Sequence, residues 1–147
     1  MGKKSIELKV HENRYIPCCF IKRKKGGQVR KKTMIGLQTV IEQLNLETVS
    51  SVEQVNRPVA GGYASDLLSC VMRGAKEDFL WVTLQFHINV VAVASLLGLA
   101  GVIITEGNRP SPETIAQAEK ENVILLLTPK NTFSVVGQLT PLGIGGE

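Results

Sequence analysis

Histidine, cysteine and aspartate are scarce in this chain. Its 147 residues include His11 and His87, Cys18, Cys19 and Cys70, and Asp66 and Asp78 as the full complement of these types. Cys18-Cys19 lacks the C-x-x-C spacing of a metal site, and two histidines make no ligand set, so neither a metal nor another cofactor is expected. Two aspartates leave little material for a magnesium-dependent phosphoryl-transfer centre. Adjacent cysteines rarely pair with each other, so a disulfide framework is not expected and a reduced, cytoplasmic setting fits. No apolar stretch approaches the roughly 20 residues that cross a bilayer. The longest, Val90 to Leu97, is broken by Ser95 and followed by Gly98. The N-terminal stretch carries no apolar segment of the secretory kind. Walker A, G-x-G-x-x-G and G-x-S-x-G patterns are all missing. A Cys70–His87 nucleophile pair competes with the ordinary role of Cys70 as a buried thiol beside Val71, and the ordinary role is expected.

The net charge of +4 averages two unlike parts. Residues 1–33 hold 11 basic and 2 acidic side chains, or +9, and the remaining 114 hold 6 and 11, or −5. The basic arm could contact nucleic acid or an anionic surface. The plainer expectation is a flexible, solvated extension, or one produced by misplacing the start. Gly26-Gly27 can be encoded as GGAGGU, a ribosome-binding sequence, which points to a start at Met34 or at a GUG codon read at Val29. Residues 34–147 are then the folded domain, and nucleic-acid binding is not the expected role.

Three apolar runs begin at Phe79, Gly101 and Val123, a constant step of 22 residues. Evenly spaced strand-then-helix units build a parallel sheet. Val102-Ile103-Ile104 and Val123 to Leu127 do not alternate with polar residues, so both faces of the sheet should be covered by helices. Helices are expected at 34–44 (Thr33 as cap, with Ile35, Leu37, Val40, Ile41 and Leu44 inward), from a Ser65 or Asp66 cap to Gly74 (with Leu67, Leu68, Val71 and Met72 inward), at 90–99, at 112–121 and from Asn131 or Thr132 to Leu139. Residues 5–10 and 14–21 could form short strands, and 46–49 another. Gly61-Gly62 before Tyr63 suits positive φ or close backbone approach. Gly145-Gly146-Glu147 reads as a loose tail. The helix at 90–99 is apolar almost all round and needs cover on every side, from a second subunit or from a tight internal fit.

The loops after the three runs carry most of the chemistry. They are Gln85–Asn89, Glu106–Arg109 and Thr128–Asn131. If the strands are parallel, these loops share one edge, where open α/β folds bind ligands. Helix starts at Asn89, Ser111 and Asn131 offer free N–H groups. Arg109 and Lys130 add positive charge, His87 a switchable donor, and Gln85, Glu106 and Thr132 further polar groups. Together they suit a small anionic molecule such as a nucleotide. Singly, each has an ordinary role: Asn89 and Asn131 as caps, Arg109 and Lys130 as solvated charges, His87 packed on Phe86.

From Met34 onward the chain resembles a stand-alone DRTGG domain. Leu44-Asn45-Leu46-Glu47, the block Gly61-Gly62-Tyr63-Ala64-Ser65-Asp66-Leu67-Leu68-Ser69, and Leu80 to Gln85 with His87 and Asn89 carry the resemblance. Val102-Ile103-Ile104 with Gly107, and Leu126 to Phe133, complete it. The resemblance implies a fold similar to the N-terminal domain of HPr kinase/phosphorylase. Related domains are inserted in CBS-containing pyrophosphatases and some phosphotransacetylases, where they regulate or assemble while catalysis resides elsewhere. One departure stands out. Related domains carry Gly-Asp-Arg after the strand, and this chain has Gln85-Phe86-His87-Ile88-Asn89, without that acid–base pair.

The expected architecture is a three-layer α/β/α domain whose mostly parallel sheet has about five strands. The expected role is a non-enzymatic regulatory or assembly module. It would form a homodimer through the 66–73 or 90–99 helix, sense a small anion such as a nucleotide, and act on a partner protein encoded nearby. The competing roles are a degenerate phosphotransfer-related enzyme using His87, and nucleic-acid binding through residues 1–33.

Overall fold

Alternating side chains along the strands divide the core into two apolar layers, one on each side of a central sheet. The computed structural model describes residues 34–50 and 55–146. The expectations for strands at 5–10 and 14–21, and for the basic arm, lie outside these residues. Strands β1 (Ile35–Gly36) and β3 (Pro58–Val59) form a small antiparallel pair. The main sheet has five strands in the order β2 (Glu47–Thr48), β7 (Leu125–Leu127), β6 (Gly101–Ile104), β5 (Phe79–Thr83), β4 (Gly61–Ala64). All neighbours are parallel except β2, which runs antiparallel to β7. The helices are α1 (Leu37–Leu44), α2 (Leu68–Gly74), α3 (Ile88–Leu97), α4 (Pro112–Lys120) and α5 (Thr132–Leu139), the last followed by a 3-10 turn (Thr140–Leu142).

From β4 to β7 the chain steps the same way across the sheet at every crossover. Crossovers of one hand that step one way put their helices on one face. The packing agrees. Val71 of α2, Val90, Val91, Val93 and Ala94 of α3 and Ala118 of α4 share a core with Phe79, Trp81, Val102, Ile104, Leu125 and Leu127. The opposite face joins Leu37, Val40 and Leu44 of α1 and Val135 and Leu139 of α5 to Leu80, Val82, Ile103 and Leu126. The expected three layers are present, and the unbroken apolar runs reflect burial on both faces.

Several local expectations are corrected. Residues 35 and 36 are extended, and α1 starts at Leu37 with Gly36 at the cap position and no side-chain cap. The competing partner is Val59, which pairs with Ile35. Neither Ser65 nor Asp66 caps α2, whose cap position is Leu67. The Ser65 hydroxyl accepts from the Leu67 amide, and its carbonyl takes the indole N–H of fully buried Trp81 at 2.7 Å. Leu67 and Met72 are exposed, so only part of the expected inner face of α2 is inner. Gly74 is the last helical residue, and its lack of Cβ lets the Tyr63 ring close in, since a Cβ there would lie 2.5 Å from it. Gly61 works the same way: a Cβ would meet the Phe79 ring at 2.7 Å and the Gly145 carbonyl at 2.9 Å. That carbonyl accepts from the Gly62 amide at 2.8 Å, so the chain through Gly145 docks on the β4 edge and is not a loose tail. Helix α3 begins two residues earlier than expected and closes on left-handed Gly98. Its apolar circumference is not fully covered, because Ile88 and Ala92 are exposed and Leu96 is 71% exposed. Cys70 is half-buried, not buried.

Candidate functional site

Thr83, Thr105 and Thr128 stand at the C-terminal ends of the three central parallel strands, and all three are buried. Their hydroxyls tie off the loops that follow. Thr83 Oγ1 accepts from the Gln85 amide at 3.1 Å, and Thr128 Oγ1 accepts from the Lys130 amide at 3.3 Å. Such local bonds replace the ladder where a strand stops. Thr105 Oγ1 donates to the Thr83 carbonyl at 3.3 Å and lies 2.9 Å from the hydroxyl of Thr132. Asp66 comes from the neighbouring strand-to-helix connection. Its Oδ1 accepts from Thr83 Oγ1 at 2.9 Å and from the Leu84 amide at 2.7 Å, fixing the start of the β5–α3 loop.

After β6 the chain turns sharply. Glu106 and Gly107 both have left-handed φ (59° and 71°), and the Asn108 amide returns to the Thr105 carbonyl. Two successive left-handed residues make a tight reversal, at some conformational cost for Glu106. The turn is held by the adjacent loop: the Glu106 amide donates to the Lys130 carbonyl at 2.9 Å and the Gly107 amide to the Thr128 carbonyl at 3.0 Å. Asn108 Nδ2 donates to the carbonyls of Leu84 and Thr105. The three loops expected to share a rim are therefore knitted together at one end of the sheet.

Beyond that rim they part. The β6 loop leads to α4 on one face, and the β7 loop leads to α5 on the other. Adjacent strands that feed opposite faces leave a crevice between their C-terminal ends. A groove of about 400 Å³ lies there, lined by Gly107, Asn108 and Arg109 from one loop, Leu127, Thr128 and Pro129 from the other, and Asn45 and Glu47 from the α1–β2 connection. Arg109 reaches across to Glu47 in a forked pair, Nη2 to Oε2 at 2.7 Å and Nη1 to Oε1 at 3.1 Å, with side chains 66% and 52% exposed. β2, the antiparallel edge strand, brings Glu47 to this position.

The other rim residues are distributed elsewhere. Lys130 is taken up within the fold: its ammonium donates to the Leu44 carbonyl at the end of α1 (3.2 Å) and to Gln138 Oε1 (2.8 Å). Asn131 caps α5 by accepting from the Ser134 amide at 2.8 Å, as Ser111 caps α4 by accepting from Thr114. His87 holds the cap position of α3 without a side-chain cap bond, and lies with Phe86, Ile88, Ser111, Glu113 and Thr114 in a separate hollow of about 180 Å³. Asn89 belongs to a third, shallow groove between α3 and α4, with Ile88, Ala92, Leu96 and Gln117. Gln85 and Glu106 are exposed. Among the described residues no three of His, Cys, Asp and Glu gather as a metal site, and no helix is long and apolar enough to cross a membrane.

Sequence reasoning placed Thr128 at the rim but gave no site role to Glu47, Asn45, Thr83 or Thr105. The signal that was available lay in the repeats: a Thr ends β5 at 83 and directly follows β6 and β7 at 105 and 128. Nothing in the sequence links Glu47 to Arg109, 62 residues away.

No curated protein matches the chain. Among solved structures, it is similar to the CBS and DRTGG domains of the regulatory region of Clostridium perfringens pyrophosphatase, complexed with the activator diadenosine tetraphosphate. The TM-score is 0.59 at 18% identity, over 71% of this chain and 45% of that one, so the chain spans less than half of that structure's length. At this identity the likeness concerns the fold, and it matches the five-stranded, mostly parallel sheet with helices on both faces. The sequence itself matches the DRTGG domain over residues 67–141, from the start of α2 to the 3-10 turn. This is a chain of the DRTGG domain family.

Proposed function

We propose that the chain is a non-enzymatic regulatory module that pairs with a second copy of itself and senses a small anionic ligand, such as a nucleotide, in the Arg109 groove. The observation that carries this reading is the groove itself, about 400 Å³ at the point where the β6 and β7 loops diverge, with an exposed guanidinium in its wall. That volume falls within the roughly 300–1,000 Å³ usual for small-molecule sites. A guanidinium suits phosphate and carboxylate oxygens. A nucleotide is the first class to try because the pyrophosphatase regulatory region, of which less than half resembles this chain, is complexed with a dinucleotide activator. The enzyme reading is less favoured, because His87 and Arg109 line different hollows.

The dimer rests on exposed apolar side chains of neighbouring helices, Leu67 and Met72 about α2 and Ile88 and Leu96 on α3. Exposed apolar side chains of this size gain from cover. Residues 34–147 are the working domain in this reading, and the described residues fall within one compact unit, Lys32–Glu147. A partner protein encoded nearby would receive the signal.

Thermal-shift measurement against adenine and guanine nucleotides, including diadenosine tetraphosphate, tests the ligand. A nucleotide at about 100 times its Kd adds about 2.7 kcal/mol, a rise of several degrees, and Arg109→Ala removes the response. A flat response across the panel contradicts the sensor. Sedimentation of the protein as a monomer at micromolar concentration contradicts the dimer.

A further inference from the structure

We propose that the Glu47 carboxylate is a resident stand-in for the ligand's oxyanion, so that the ligand enters by displacing Glu47 from Arg109. This inference rests on the reading of the groove as an anion site and names the chemistry that site selects: an oxyanion presenting two oxygens side by side, as a phosphate or a carboxylate does.

The geometry has three parts. First, both terminal nitrogens of Arg109 are engaged by both oxygens of Glu47, at 2.7 and 3.1 Å. This fork is the arrangement in which arginine recognises a carboxylate or phosphate from a ligand. An anion of the same shape meets an occupied fork on arrival. Second, the two side chains come from different elements, the β6–α4 loop and an edge strand, and both help line the same groove. The fork therefore sits within the groove and not on an unrelated surface. Third, the displacement is open to a competing anion. Both side chains are more than half exposed, so water weakens the fork and a ligand can reach it. Glu47 also repels an incoming anion for as long as it stays in place, an interaction that salt screens.

Displacement ties the ligand to β2. That strand is two residues long and lies at the sheet margin, held by its antiparallel register with Leu126 and Leu127 of β7. Arg109 supplies an additional tether through the Glu47 side chain. An occupied groove transfers Arg109 from the strand to the ligand and loosens that tether. The contact is then autoinhibitory toward the ligand, and its release is the local change that a regulated partner could read.

The test uses the full chain and two probes, inorganic phosphate and ATP. Affinities are measured calorimetrically for the parent, Glu47→Gln, Arg109→Ala and the double variant, at low and moderate salt. Glu47→Gln keeps the size and exposure of the side chain and removes only its charge, so folding is retained. We expect Glu47→Gln to bind up to about fivefold tighter at low salt, the upper range for losing an exposed ionic competitor. The gain shrinks as salt rises. Arg109→Ala and the double variant should both bind weakly and alike. Equal affinity of the parent and Glu47→Gln, with Arg109→Ala still impaired, overturns the displacement and leaves the anion site standing. Binding that Arg109→Ala does not alter, or no binding of either probe by any variant, overturns both.

Discussion

Replacing Asp66 with alanine separates two roles for one residue. Sequence pattern makes Asp66 a cap for α2, whereas the structure makes it a clamp on the end of β5. Its Oδ1 accepts from Thr83 Oγ1 at 2.9 Å and from the Leu84 amide at 2.7 Å. Hydrogen bonds to charged groups contribute about 1.5–3 kcal/mol, and less where water can replace them. Asp66 is exposed, so its two bonds together contribute about 2 kcal/mol, much of it from leaving the buried Thr83 hydroxyl without its acceptor. For a domain of this size that corresponds to a fall in Tm of about 6–10 °C. Asp66→Asn keeps an acceptor oxygen and should lose about half as much. Urea denaturation gives the stability change, and amide hydrogen exchange locates it. Clamp loss exposes the Leu84 amide selectively, whereas cap loss would expose the first turn of α2. A cycle with Thr83→Val should show coupling of about 1 kcal/mol. A loss under about 0.5 kcal/mol, or new exchange confined to Ser69 and Cys70, refutes the clamp.

Four further outcomes follow from the packing. Leu126→Ala, at a fully buried position between β7 and the α1–α5 layer, should cost about 2–5 kcal/mol in denaturant titration. Gly61→Ala forces a Cβ against the Phe79 ring and the Gly145 carbonyl and should cost about 1–3 kcal/mol, measured the same way. Phe133→Ser, at a side chain 89% exposed, should leave stability within about 0.5 kcal/mol of the parent. Lys130→Met removes the bonds to Leu44 and Gln138 and should lower stability by about 1–2 kcal/mol, while changing nucleotide affinity less than Arg109→Ala does in calorimetry.

The main sheet was legible in the sequence because burial leaves a periodic trace. Phe79, Gly101 and Val123 recur at a fixed step, and the strands begin at Phe79, Gly101 and Leu125. Ser111-Pro112-Glu113 announced α4, and Asn131 announced α5, because those caps are satisfied within three residues. Misreadings occurred where a distant partner outcompeted a local preference. Ile35 has helical spacing but pairs with Val59, and Asp66 has a cap's position but binds Thr83 and Leu84. The shared rim could be foreseen from parallel strands. Its division into separate hollows could not, because it depends on which face each following helix takes. Lys130 shows the same limit: its partners lie 86 residues back along the chain and 8 ahead.

The most direct test of the account is an amide-resolved NMR titration of the protein with ATP. The diverging-loop groove predicts that shifts concentrate at Gly107, Asn108, Arg109 and Thr128, with Glu47 following as its carboxylate leaves Arg109. Shifts centred instead on the α3–α4 groove around Asn89 and Leu96, or no shifts at saturating nucleotide, would contradict it.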